Sequence, residues 1–151
     1  MVTQNQIIAI TATTAIVVAI VVGAYILSVS RDISGSGTIE SNANLEIYAD
    51  QNATLLLTHI DWSGNQALTP NSNATVLLFI KNTGDSVLTL NYTTFEWQPI
   101  AAQAYLYTSW NYNGTKIEPN QIITIEYTLH VSKDVYGIRD FSFNTKITGT
   151  N

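Results

Sequence analysis

The strongest constraint on the fold is an alternation of apolar and polar residues near the end of the chain. From Ile123 to Val131 every odd position is apolar and every even position is polar. This is the period of a strand with one face in a core and the other in water, and His130 falls on the wet face. A second inward row follows, at Phe141, Phe143, Thr145 and Ile147. Both rows predict a sheet protein.

Short runs rich in β-branched and aromatic residues recur between clusters of turn residues. These runs are residues 38–40, 44–48, 54–60, 75–81, 87–92, 104–110, 122–131 and 141–148. Their spacing predicts an all-β domain, an antiparallel β-sandwich of jelly-roll or immunoglobulin-like type. The predicted organisation is an N-terminal segment, 1–30, a flexible linker, 31–37, and the sandwich domain, 38–151.

The N-terminal segment carries a long apolar run. From Ile7 to Val29 there is no charged residue, and a run of this length is sufficient to cross a bilayer as a helix. A cleaved signal peptide is the alternative, because Ser28 and Ser30 offer small residues at a cleavage site, although no Lys or Arg precedes the run. We favour a retained transmembrane anchor that contacts the membrane through residues 7–29.

Composition narrows the classes of function and location. Only 11% of the residues are charged and the net charge is -5, so the chain lacks the basic surface that nucleic-acid binding requires. Cysteine is absent, which excludes disulfides and thiolate chemistry. Candidate N-glycosylation sites, in Asn-X-Ser/Thr triplets, occur at Asn52, Asn73, Asn91 and Asn113. These triplets favour a cell-surface or extracellular location, either membrane-anchored or secreted.

In one family of serine hydrolases the tripeptide Gly-Asp-Ser contains the nucleophilic serine, and the same tripeptide occurs here as Gly84-Asp85-Ser86. Those enzymes carry a histidine three positions after an aspartate, and neither His59 nor His130 has one there. We therefore predict that Ser86 is not catalytic. The segment is interpreted as a bend between two core strands, with Asn82 and Gly84 as structural turn residues and a positive φ at Gly84.

No other pattern predicts chemistry. His59 and Asp61 share one face of a strand and would form half of a metal site, but no third ligand is identifiable. Trp62 and Trp97 are interpreted as large buried plates at packing corners. We predict no catalytic residue, no metal and no cofactor, and hence a protein that is not an enzyme.

An ordered series of short motifs resembles a known family. The motifs are Ser36-Gly37-Thr38-Ile39 and the segments 57–90, 109–121 and 136–150. Together they look like archaeal surface proteins of the TasA-like, archaeal bundling-pilin type, over most of residues 34–150. Members place an Asn-x-Gly bend between two core strands, which Asn82-Thr83-Gly84 matches. They usually have Pro-Gly where this chain has Pro70-Asn71.

The resemblance implies a jelly-roll-like sandwich whose members polymerise into extracellular fibres. In such fibres the N-terminal segment of one subunit completes the sheet of its neighbour. The donated strand would be about Asp32 to Ser41, centred on Ile33, Ser34, Gly35, Ser36, Gly37, Thr38 and Ile39. This implies a non-enzymatic filament, pilus-like or biofilm-matrix subunit whose partner is a second copy of itself. A monomeric anchored module that binds an envelope protein or a glycan, and an anchored virion protein, are the alternatives.

Overall fold

The computed structural model describes residues 33–42, 44–64 and 67–151. The predicted anchor, 7–29, and residues 31 and 32 of the predicted linker lie outside the described residues. Among the residues that are described, no helix has the length and apolar character needed to cross a bilayer.

The regular secondary structure of the described residues is almost entirely β-strand. The strands are β1 (Ser34–Ser41), β2 (Leu45–Tyr48), β3 (His59–Asp61), β4 (Asn73–Asn82), β5 (Thr89–Gln98), β6 (Leu106–Trp110), β7 (Ile122–Val131) and β8 (Asp140–Thr150). A short 3-10 helix, Ile100–Ala104, lies between β5 and β6. The prediction of an all-β domain is confirmed for this part of the chain.

These strands form two packed four-stranded sheets, with the orders β3-β1-β8-β5 and β2-β4-β7-β6. Every neighbouring pair is antiparallel except β1 and β8, which are parallel. The prediction of an antiparallel sandwich is therefore corrected at this pair. A parallel pair needs a long connection between its strands, and here the rest of the domain supplies it.

The core lies between the two sheets and follows the predicted alternation. All four predicted inward residues of β8 are buried, and so are Ile125, Tyr127, Leu129 and Val131 of β7. His130 is half-buried on the opposite face. Trp62 and Trp97 are buried as predicted, with ring centroids 5.8 Å and 4.1 Å from that of Phe143. Stacked aromatic contacts of this kind add to the stabilisation that comes from burial alone.

The linker predicted for residues 31–37 is corrected at its C-terminal end. Residues 34–37 belong to β1, with backbone partners on both sides. Glycine and serine in this stretch are typical of a flexible segment, which is why the composition predicted a linker. In the structure, Gly35 and Gly37 instead allow β1 to pack closely against Phe141 and Phe143 of β8.

The bend after β4 is built around Asn82, which is fully buried. Its Oδ1 accepts a hydrogen bond from the Gly84 N–H at 3.0 Å, and its Nδ2 donates to the carbonyl oxygens of Ser86 and Ile117 at 2.8 and 3.0 Å. The Asn82 side chain thus joins the end of β4 to the two chain segments that follow the bend and precede β7. The predicted positive φ at Gly84 is wrong; a Cβ there would lie 3.0 Å from the Asn44 Cβ, so this glycine provides room.

Candidate functional site

Strand β1, which contains the candidate donor residues from Ser34 to Ile39, occupies an interior position in its sheet. It pairs with β3 on one side and with β8 on the other, so that Ser36 lies opposite both Asp61 and Ser142. Backbone N–H groups of Trp62 and Ser34 donate across the two junctions, to Gly35 and Arg139, each at 2.9 Å. We call the slot between β3 and β8 the β1 seat.

The inner face of β1 presents three buried residues, Gly35, Gly37 and Ile39. A Cβ added to Gly35 would lie 2.0 Å from Cζ of Phe141, and one added to Gly37 would lie 2.0 Å from the carbonyl oxygen of Phe143. Ile39 is only 4% exposed and joins the hydrophobic core. The β1 seat thus has room for glycine only at the positions of Gly35 and Gly37, and for an aliphatic side chain at the position of Ile39.

The outer face of β1 is polar and open to solvent. The Thr38 hydroxyl donates to Asn144 Oδ1 at 2.6 Å, the Ser34 hydroxyl donates to Asp140, and Glu40 lies 3.9 Å from the Lys146 ammonium. Exposed ion pairs and hydrogen bonds contribute about 1 kcal/mol or less each. The fit of β1 is therefore determined mainly on its inner face.

The N-terminal end of β1 is held at a third point. The backbone groups of Ile33 and Leu68 exchange two hydrogen bonds, at 2.8 and 3.0 Å, and both side chains are buried. The chain is therefore held in a fixed position at Ile33, the first of the named candidate donor residues.

A second feature lies on the outer face of the other sheet, in a row that crosses three strands. The ring nitrogens of His130 lie 2.7 Å from Ser109 Oγ and 2.9 Å from Asn73 Oδ1. Tyr107 stacks on the imidazole with centroids 4.5 Å apart and an interplanar angle of 13°, yet it remains 60% exposed. This row forms an aromatic plate flanked by the uncharged polar side chains of Ser109 and Asn73. We refer to it as the Tyr107 plate.

The sequence alone did not reveal the Tyr107 plate. The alternation in β7 placed His130 on the wet face, but the neighbours of that face come from β4 and β6. Their register is fixed by tertiary pairing, which a single strand pattern does not contain. Once the register is known, Asn73 and Tyr107 both lie opposite His130.

In the described part of the chain, the side chains of Ser86 and Asp61 form hydrogen bonds only with residues close to them in sequence. The Ser86 hydroxyl donates to the Asp85 carboxylate at 3.3 Å, its single side-chain hydrogen bond among the described residues. The Asp61 carboxylate accepts hydrogen bonds from Ser63 and the Gly64 N–H, and these hold the pKa of Asp61 below its usual value. Within the described ranges no three His, Asp or Glu side chains are close enough to share a metal ion.

All four candidate N-glycosylation sites are exposed in the structure. Asn52 lies in a turn and Asn113 in the loop after β6, whereas Asn73 and Asn91 lie in strands β4 and β5. Exposure is required for modification, and glycosylation at these positions stays a prediction.

The chain matches no protein-family profile and no curated protein. The described residues define an all-β fold of two packed, mostly antiparallel sheets. Within it, the glycine-bearing strand β1 is held between β3 and β8.

Proposed function

We propose that the protein is a non-enzymatic structural protein of a cell surface, joining into filaments, pilus-like fibres or a biofilm matrix by N-terminal strand addition. One observation supports this proposal above the others. The first strand of the described chain fills an interior position of a sheet, so a β1 from a neighbouring copy makes the same contacts in the same seat. Residues 42–44 would then connect the donated strand to its own subunit.

Because the contacts are the same within one chain and between two, little intrinsic free energy separates the closed monomer from the joined state. The balance depends on subunit concentration and on any strain in the connection 42–44, as for other exchanges of an identical element. A high local density of subunits, as on a membrane surface, favours joining.

A pair of introduced cysteines tests the proposal, because the chain has none of its own. Thr38 and Asn144 are side-chain neighbours across β1 and β8 on the exposed face, within the reach of a disulfide. The variant T38C/N144C, oxidised at high protein concentration, is expected to give a ladder of covalent multimers on a denaturing gel.

The matched control is T75C/T128C, since these hydroxyls lie 2.9 Å apart across β4 and β7. This pair is internal to a subunit whether or not β1 is exchanged, so it is expected to yield only cross-linked monomer. If T38C/N144C also yields only monomer at every concentration, and electron microscopy of the same sample shows no filaments, β1 is not donated.

The Tyr107 plate supports a second candidate, a monomeric membrane-anchored module that binds an envelope protein or a glycan. An exposed ring held flat by His130, with Ser109 and Asn73 beside it, suits stacking against the apolar face of a neutral sugar. The probe is chitohexaose, titrated against the tyrosine and tryptophan fluorescence of the full chain. Binding that Tyr107→Ala removes supports this candidate, and an unchanged spectrum at millimolar sugar rejects it for this ligand.

A further inference from the structure

We infer that the β1 seat selects its occupant by two glycines, so that the strand donated to it comes from a second copy of this chain and not from an unrelated protein. The inference rests on the proposed strand addition and states which residues make the seat selective for the β1 strand of this chain. The evidence for it comes from the three inward-facing residues of β1, which are Gly35, Gly37 and Ile39.

Gly37 is the stricter of the two glycine positions. A Cβ there would stand 2.0 Å from a backbone atom, the carbonyl oxygen of Phe143. Phe143 lies within β8, which is paired on both sides, and its ring stacks with both buried tryptophans. The oxygen cannot retreat without disturbing β8, so any side chain at this position forces the incoming strand out of register or away from β8.

Gly35 lies over an aromatic ring. An added Cβ would come within 2.0 to 2.4 Å of three ring atoms of Phe141, a residue only 5% exposed. The Phe141 ring stacks near that of Phe143, with centroids 6.1 Å apart. It can move only by disturbing this stack, and the penalty is smaller than that of moving backbone.

The third inward position requires an aliphatic side chain. Ile39 is 4% exposed, and a smaller side chain there would leave a destabilising cavity in the core. The seat therefore requires the pattern Gly-x-Gly-x-Ile. The positions marked x point outward, where Thr38 makes one side-chain hydrogen bond.

The sequence meets this requirement in one place. Among its eight glycines, only Gly35 and Gly37 are separated by a single residue. No other strand of a second copy fits the seat, and a foreign strand fits only if it carries the same spacing. The selection is steric, so it does not depend on charge, which agrees with the low charged fraction of the chain.

The test uses the full-length Gly37→Ala chain, whose own β1 fits its seat poorly, and a fluorescent peptide of residues 32–42. The peptide is added in four forms: unchanged, with Gly35→Ala, with Gly37→Ala and with Thr38→Ala. Anisotropy measures uptake, and circular dichroism measures the recovery of sheet if the receptor is unfolded without peptide. The wild-type chain serves as a receptor whose seat is already filled.

The unchanged and Thr38→Ala peptides are expected to bind within about fivefold of each other, as the loss of one exposed hydrogen bond implies. The Gly35→Ala peptide is expected to bind at least about 10-fold more weakly, and the Gly37→Ala peptide about 100-fold more weakly. Equal binding of all four forms overturns the glycine selection and leaves strand addition standing. Binding of none, the unchanged peptide included, rejects strand addition and the selection with it.

Discussion

Replacing Gly37 by Ala in the isolated subunit gives the sharpest stability prediction. The added methyl carbon would stand 2.0 Å from the Phe143 carbonyl oxygen, whereas real Cβ contacts almost never fall below 3.0 Å. Strand β1 or β8 must therefore shift by about 1 Å. A core that is overpacked by one methyl group loses about 1–3 kcal/mol, and each interstrand hydrogen bond that the shift breaks adds about 1 kcal/mol.

We therefore expect Gly37→Ala to lower the free energy of unfolding by about 3–4 kcal/mol. For a domain of this size that corresponds to a fall in Tm of roughly 10–15 °C. Thermal unfolding followed by circular dichroism at one low protein concentration measures the shift, because low concentration suppresses assembly.

Two matched variants separate the clash from other effects. Thr38→Ala changes the neighbouring outward position and is expected to cost only about 1 kcal/mol. Gly114→Ala has no atom within 4 Å of its new Cβ but a φ of +84°, so it reports backbone strain alone, about 1–2 kcal/mol. A Gly37→Ala protein that melts within 3 °C of wild type would refute the close approach of β1 to β8.

Three further predictions concern other parts of the domain. Burial raises the pKa of Tyr127 to about 12, so the folded state favours the neutral phenol. About 3 kcal/mol of folding stability is therefore lost as the pH rises from about 10 to about 12. Tyr127→Phe is expected to abolish this loss, as measured by denaturant titrations at alkaline pH. Asn82→Ala removes three hydrogen bonds of a fully buried amide and is expected to lower the free energy of unfolding in urea by about 3–4 kcal/mol. A variant whose unfolding free energy stays within about 1 kcal/mol of wild type would contradict the described bend. Hydrogen bonds to the Asp50 carboxylate, the strongest from the Leu55 N–H, lower the pKa of Asp50. The ionised carboxylate therefore stabilises the fold above about pH 4, and this contribution is lost at lower pH. Asp50→Asn is expected to reduce the fall in Tm that accompanies acidification.

Much of the fold could be predicted because alternation is a local signal. The inward rows of β7 and β8 follow directly from residue type, and the structure buries Phe141, Phe143 and Leu129 as expected. The buried tryptophans were also predicted, because an indole in a domain of this size usually contributes to the core.

Strand ends and pairings were harder to predict. Residues 54–57 have a strand-like composition, but the Asp50 carboxylate accepts the N–H groups of Thr54 and Leu55. It holds them in a turn, so β3 begins only at His59. Strand β5 continues beyond its predicted end to Gln98, through an irregularity at which Glu96 has a φ of 54°.

The candidate site shows the same division between local and tertiary information. The resemblance placed the donor strand at Asp32 to Ser41, and the described part of that range is a strand. Its parallel partner β8 lies 106 residues away in sequence, as the hydrogen bond from Ser34 to Asp140 illustrates. No local pattern encodes such a pairing. Gly35 and Gly37 are typical of a flexible linker in sequence, and only their neighbours in the fold, Phe141 and Phe143, show that they are needed for close packing.

The parallel pairing of β1 with β8 also determines how the domain carries mechanical load. Ser34 lies opposite Asp140 and Ser41 opposite Ile147, so the N-terminal end of β1 and the C-terminal end of β8 are at opposite ends of the paired region. Tension between these two ends acts along the strands and shears their interstrand bonds together, whereas an antiparallel pair pulled from adjacent ends would open one bond at a time. Strands β1 and β8 thus form a clamp that resists extension when the domain is pulled from these two strand ends.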